Sequence, residues 1–161
     1  MEALDEDVDF ALAVYREEGV WQLQDLVPEI LDDVEKLSSA LRRLPGDSGA
    51  LGLIGFAEDV FLIVRVAGPQ VRILLSDITS ADDWELARSA VEKLALPYPE
   101  EDDDSAPAGD LDILGDLGMH AMDLGVLVDD YDLYPDEVLS DVAGRLGFGE
   151  AFDDAVGLTN A

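Results

Sequence analysis

Residues able to do chemistry near neutral pH are few in this chain and poorly grouped. There is one histidine, His120, between Met119 and Ala121. A catalytic imidazole needs a nucleophile or an acid to serve, and a metal site needs several ligands. Neither is marked beside His120, which reads as a structural or exposed residue. Cysteine is absent, so no disulfide, thiolate metal site or cysteine nucleophile can form.

Three short segments imitate functional motifs. Gly46-Asp47-Ser48-Gly49 resembles the serine-nucleophile segment of trypsin-like proteases. Those enzymes place their histidine before the serine, and no histidine precedes Ser48, so a turn is expected. Asp130-Tyr131-Asp132-Leu133-Tyr134-Pro135-Asp136 begins like an EF-hand loop, with Asp141 at the twelfth position. Pro135 stands where the loop needs glycine and Tyr134 replaces an oxygen ligand, so no specific calcium site is expected. Gly52 and Gly55 lie in a strand pattern, without the lysine of a phosphate loop or the helix start of a dinucleotide fold. Carboxylate pairs are everywhere, and none stands out as a general acid and base. No catalytic residue, cofactor site or metal site is assigned.

The elements that would position any site can be read from periodicity. Phe10 to Tyr15 and Val20 to Leu26 read as two strands about a turn at Arg16-Glu17-Glu18-Gly19. Pro28 is expected to open a helix whose apolar face is Ile30, Val34, Leu37, Leu41 and Leu44, stopped by Pro45-Gly46. Glu29, Asp32 and Asp33 in its first turn, and Arg42 and Arg43 in its last, suit the helix dipole. Three strands follow, near Leu51 to Phe56, Val60 to Val66 and Val71 to Ser76. Ser80 with Asp83 three residues on looks like a second helix start, with an apolar stripe of Trp84, Ala87, Val91 and Leu94. The order ββαβββα implies an α+β fold, an antiparallel sheet with helices on one face. This sheet domain is expected to span residues 1–96. Residues 97–109, with three prolines and the run Glu100, Glu101, Asp102, Asp103, Asp104, read as an exposed, mobile acidic linker. Residues 110–161 read as a small C-terminal helical annex. Its short helices are Leu111 to Leu117, Ala121 to Val128, Pro135 to Leu146 and Gly149 to Val156. Some 50 residues hold little core alone, so the annex should pack on the sheet.

One constellation belongs to the central hairpin. If Gly68-Pro69 is a two-residue loop, Ala67 faces Gln70, Val66 faces Val71, and Arg65 faces Arg72. Two cations directly opposite repel unless an anion lies between them. Their face also carries Phe61, Ile63 and Leu74. The other face, with Leu62, Val64, Val66, Val71, Ile73 and Leu75, is wholly apolar and should take the helices. Arg65 and Arg72 are therefore expected either to meet an internal Asp or Glu, or to mark a docking surface for the annex or for a partner.

Charge narrows the partners. The chain has 161 residues with 9 Lys and Arg against 38 Asp and Glu, a formal charge of −29. With 48% apolar residues and a mean hydropathy of +0.10, it should still build a core. Residues 1–95 hold 8 bases and 20 acids, a charge of −12. Residues 96–161 hold only Arg145 against 18 acids, a charge of −17. Such a field repels phosphate backbones and attracts basic surfaces, so direct nucleic-acid binding is not expected. The N-terminus carries five acids and no base through Asp9, the reverse of a signal peptide, and no apolar run approaches a membrane span. A cytoplasmic protein is expected.

The segments Phe61-Leu62-Ile63-Val64-Arg65-Val66 and Val71-Arg72-Ile73-Leu74-Leu75-Ser76-Asp77 resemble the actinobacterial family of tRNA adenosine deaminase-associated proteins. Later segments agree: Pro107-Ala108-Gly109-Asp110-Leu111-Asp112-Ile113-Leu114, Asp116-Leu117-Gly118-Met119 and Arg145-Leu146-Gly147-Phe148. Phe10-Ala11-Leu12-Ala13-Val14, with Gly19 and Trp21, matches the family's beginning, and the resemblance runs from about Phe10 to Phe152. It implies an association with that enzyme and supplies no catalytic residue. Without cysteine the chain lacks the deaminase's own zinc site. The expectation is a non-catalytic acidic binding or regulatory protein whose partner is a basic protein, first of all the tRNA adenosine deaminase. Candidate partner-binding residues are Glu100, Glu101, Asp102, Asp103, Asp104, Asp129, Asp130, Tyr131 and Asp132, with Arg65 and Arg72. Two alternatives stay open: a carboxylate enzyme with a divalent cation, and a protein docking through the Arg65–Arg72 face whose acids serve solubility alone. The sequence sets no oligomeric state.

Overall fold

In a computed structural model the described residues are 8–26, 30–31, 33–44, 49–56, 60–82, 84–96, 106–129 and 133–156. Six strands form one antiparallel sheet: β1 (Val8–Glu17), β2 (Val20–Asp25), β3 (Ala50–Phe56), β4 (Val60–Ala67), β5 (Gln70–Leu75) and β6 (Ala108–Gly109). Their spatial order is β2-β1-β3-β4-β5-β6. Helices α1 (Val34–Arg42) and α2 (Glu85–Lys93) follow β2 and β5. Helices α3 (Ala121–Val128), α4 (Pro135–Leu146) and α5 (Gly149–Val156) make up the annex. The fold is α+β, as expected. No helix among the described residues is long and apolar enough to cross a membrane.

Tight turns set the registers. Glu18 and Gly19 both take positive φ (52° and 80°), the pairing that a two-residue loop needs to match strand twist. Glu17 then faces Val20 and Arg16 faces Trp21. At the second hairpin Gly68 (φ 59°) precedes Pro69, and the register is the expected one: Ala67 on Gln70, Val66 on Val71, Arg65 on Arg72. Because side chains alternate, this register decides which core each residue joins.

The sheet is covered on both faces. Ala11, Ala13, Ile54, Leu62, Val64, Val66, Ile73 and Leu75 pack against Val34, Leu37 and Leu41 of α1 and Leu86, Ala87, Ala90 and Val91 of α2. Phe10, Leu12, Val14, Leu51, Leu53, Phe61, Ile63 and Leu74 pack against the annex, through Leu124, Val138, Leu139, Val142 and Phe152. Burial on two sides explains why β1, β3 and β4 read as continuous apolar runs without alternation.

Four local expectations need correction. Helix α1 begins at Val34, because the Asp33 carboxylate accepts from the Glu35 N–H at 2.7 Å and caps the helix there. Pro28 lies outside the described residues. Ser80 does not cap α2, since its hydroxyl donates to the Asp77 carbonyl at 2.7 Å and closes a 3-10 turn, Ile78–Asp82. Helix α2 starts five residues later, after Trp84. The helix expected over Leu111 to Leu117 is reduced to one 3-10 turn, Gly115–Leu117. Finally, Ala108 and Gly109, placed in the linker, pair as β6 with Leu75 and Leu74. Gly109 has φ +113°, and a Cβ there would lie 2.1 Å from the Ile73 carbonyl oxygen, so only glycine lets the chain turn onto β5.

Candidate functional site

The Arg65–Arg72 pair lies where β4 and β5 meet the annex. Both side chains project to the annex face, and the segment after β6 crosses directly above them. Arg65, 5% exposed, donates to the Ile113 carbonyl at 3.0 Å and makes a two-pronged ion pair with Asp116, one prong at 2.8 Å. Arg72 donates from Nε to Asp110 Oδ2 at 2.7 Å and from Nη2 to the Asp112 carbonyl at 2.9 Å. The Asp110 carboxylate also accepts from the Asp112 N–H at 2.9 Å, which fixes the turn. Each cation thus has its own carboxylate, and their mutual repulsion is answered from one segment, Asp110–Asp116. The Arg65 hydrogen bond holds the Asp116 carboxyl below the usual carboxylate range, against a smaller opposing effect of burial. This arrangement joins annex to sheet. The occupant of the Arg65–Arg72 face is the annex.

A second tie lies beside it. Trp21 of β2 donates from its indole to the Leu146 carbonyl at 3.2 Å, at the C-terminal end of α4. Its ring packs on Phe148 with centroids 4.8 Å apart, and the Arg16 guanidinium sits 5.1 Å above the ring centroid. From the sequence Trp21 is legible as a strand residue and as part of the family's opening pattern, with no contact to the annex foreseen. Its role depends on a partner 125 residues away, for which no local pattern exists.

The remaining candidates are acids. Asp129 follows α3 as its C-cap and is exposed. Asp130, Tyr131, Asp132 and the run Glu100 to Asp104 lie outside the described residues. The imitation EF-hand loop begins there too, and its Pro135 starts α4. His120 is exposed at the N-cap of α3. Arg145 lies 2.9 Å from Asp141 and 3.8 Å from Asp123. Asp112, Asp129, Asp136, Glu137, Glu150 and Asp154 make no ion pair among the described residues, which leaves a negative surface. An open cleft of about 470 Å³, lined by Asp9, Phe10, Tyr134, Pro135 and Asp136, also presents carboxylates and no base. Among the described residues no three His, Asp or Glu side chains gather as metal ligands would.

The sequence reading also missed an exposed apolar strip. On α3, Met122 and Val126 stand 81% and 66% exposed, one turn apart, while Leu124 and Val128 are buried. The available signal was that α3 contains a single charged residue, Asp123, and so is apolar almost all round.

Fold and site define an acidic α+β protein in which two arginines, Arg65 buried and Arg72 half-buried, tie a C-terminal annex to an antiparallel sheet. The sequence pattern of a family described as "Rv3753c-like tRNA adenosine deaminase-associated protein" matches residues 9–149. Protein Rv3753c of Mycobacterium tuberculosis is 36% identical over 151 residues, covering 92% of this chain and 87% of that protein. The chain belongs to this tRNA adenosine deaminase-associated family. No solved structure matches it.

Proposed function

We propose that this chain is a non-catalytic cytoplasmic module that binds the tRNA adenosine deaminase, its acidic annex meeting a basic surface of that enzyme. The segregation of charge carries the reading. Beyond residue 95 there are 18 acids and one base. That base, Arg145, faces Asp141 and Asp123, and the nearby Arg65 and Arg72 are held by Asp116 and Asp110. By count the carboxylates far outnumber the bases, and that surplus favours a cationic partner. The family's description supports the deaminase as that partner. Acids placed against an RNA-binding surface compete with tRNA phosphates for the same bases.

The test is association kinetics of the two purified proteins at low and high salt. Salt should slow association, since exposed charges are screened beyond about 10 Å at 0.1 M. Replacing Asp129, Asp130 and Asp132 by Asn should slow it too and flatten the salt dependence. Tyr131→Ala should weaken the complex by about 1–3 kcal/mol, the range of an anchor residue. A complex absent at low salt, or indifferent to salt and to the Asn changes, removes the electrostatic reading.

A further inference from the structure

We propose that the outer face of α3 is a docking surface for an amphipathic helix of a partner, one whose apolar stripe is bordered by Lys or Arg. The inference rests on the reading above that the partner is basic, and it names the surface that would meet it.

Three observations converge on α3. The first is the strip itself: Met122 and Val126 are the two most exposed large apolar side chains among the described residues. Their one-turn spacing is that of a helix-docking ridge, and a methionine side chain adapts its shape to the partner it meets.

The second is Gly125. A glycine inside a helix lowers stability relative to alanine. The fold does not require it, since a Cβ at Gly125 would make only ordinary contact, 3.7 Å from Leu111 Cδ1, and its φ is not positive. Gly125 lies three residues from Met122 and four from Asp129, beside the strip. A bare backbone there lets a second helix approach closely.

The third is charge. On a 3.6-residue wheel Asp129 flanks the strip on one side and Asp123 on the other. Asp123 stands near Arg145, while Asp129 makes no ion pair among the described residues. Asp130 and Asp132 follow in sequence. An apolar ridge between acids complements an apolar stripe between bases. A second copy of this chain is the wrong occupant: it would set Asp123 and Asp129 against their own kind, with −29 on each molecule.

The methionines give a direct reporter. The chain has three, and Met119, just before α3, is 1% exposed while Met122 is 81% exposed. The full chain, labelled with ¹³C at its methionine methyls, is titrated with purified deaminase. In a second arm it is titrated with a synthetic helical peptide of Leu and Lys, with a Leu/Glu peptide as control. The Met122 signal should move with the deaminase and with the Lys peptide, less at high salt, while Met119 stays and the Glu peptide does nothing. Gly125→Ala should raise the melting temperature yet weaken both interactions about tenfold, the scale of losing a central contact. Gly144→Ala on α4, where a Cβ would meet nothing within 4 Å, should raise the melting temperature and leave binding unchanged.

Deaminase binding without movement of Met122 overturns the surface and leaves the association standing. A Lys peptide that moves Met122 in wild type but not in Gly125→Ala, with no deaminase binding, supports the surface and removes the deaminase as its partner. Gly125→Ala binding as tightly as wild type, or Met122 unmoved by either probe, overturns the proposal.

Discussion

Replacing Asp116 by Asn removes one charge and almost no volume from the junction of annex and sheet. Arg65 is then a buried cation facing Arg72 and deprived of the Asp116 charge, though the Asn oxygen and the Ile113 carbonyl can still accept from it. Breaking a fully buried pair costs about 3–5 kcal/mol, whereas an exposed pair contributes about 0–1 kcal/mol. Here the arginine side chain is 6% exposed and the aspartate side chain 61%, so solvent screens half of the pair. With a neutral hydrogen bond retained, Asp116→Asn should destabilise by about 1–2 kcal/mol, and Asp116→Ala by somewhat more. For a urea slope of about 2 kcal/mol per M, the Asn variant's unfolding midpoint falls by about 0.5–1 M. Acid should erase the difference. The folded carboxyl is held low by Arg65, so its contribution is complete above the unfolded value and vanishes as pH falls through the folded one. Urea unfolding of wild type and Asp116→Asn should therefore differ at pH 7, and the gap should shrink as pH falls below about 4 and close only below the lower value of the folded carboxyl. Equal midpoints at pH 7, or a gap that persists in acid, would refute the charge argument.

Three further substitutions test the framework around that junction. Asp33→Ala removes the cap of α1 and should lower stability by about 1 kcal/mol, read by thermal unfolding. Trp21→Phe keeps an aromatic against Phe148 but loses the bond to the Leu146 carbonyl, and should cost about 1 kcal/mol in urea unfolding, with no change of slope. Gly55→Ala places a Cβ 2.5 Å from the ring of Phe10, which is itself edge-on to Phe152. Overpacking there should cost about 1–3 kcal/mol, read by calorimetry, and a neutral result would show that Phe10 is free to move.

What could be read in advance follows from the range of the forces involved. The Gly68-Pro69 loop fixes its hairpin over two residues, so the opposition of Arg65 and Arg72 followed from local chemistry alone. The apolar runs of β3 and β4 likewise announced strands, and Gly147 and Pro135 the ends of α4. Helix starts were misplaced where two caps compete within a few residues. Pro28, outside the described residues, suggested a start by its ring, while Asp33 caps α1 by its carboxylate. Ser80 and Asp83 had the spacing of a capping pair, yet the Ser80 hydroxyl found a nearer carbonyl at Asp77. The choice of Asp116 and Asp110 as counter-ions, out of 38 acids, depends on how the annex lies on the sheet, and no spacing in the sequence encodes it. Strand β6 is two residues long, too short for any period to show.

The second core is made by two partners on one chain. The sheet contributes Leu12, Leu51, Leu53, Phe61, Ile63 and Leu74, and the annex contributes Leu124, Leu139, Val142 and Phe152. Neither set is shielded from water without the other. A molecule cut anywhere between α2 and β6 keeps that seam, so its two pieces should co-purify as a nicked but folded whole. Synthesised alone, the N-terminal piece would present a bare apolar sheet and be drawn into aggregates. During translation the sheet residues emerge first and the annex last, so the nascent chain carries its sticky face until its own C-terminal helices arrive to close it.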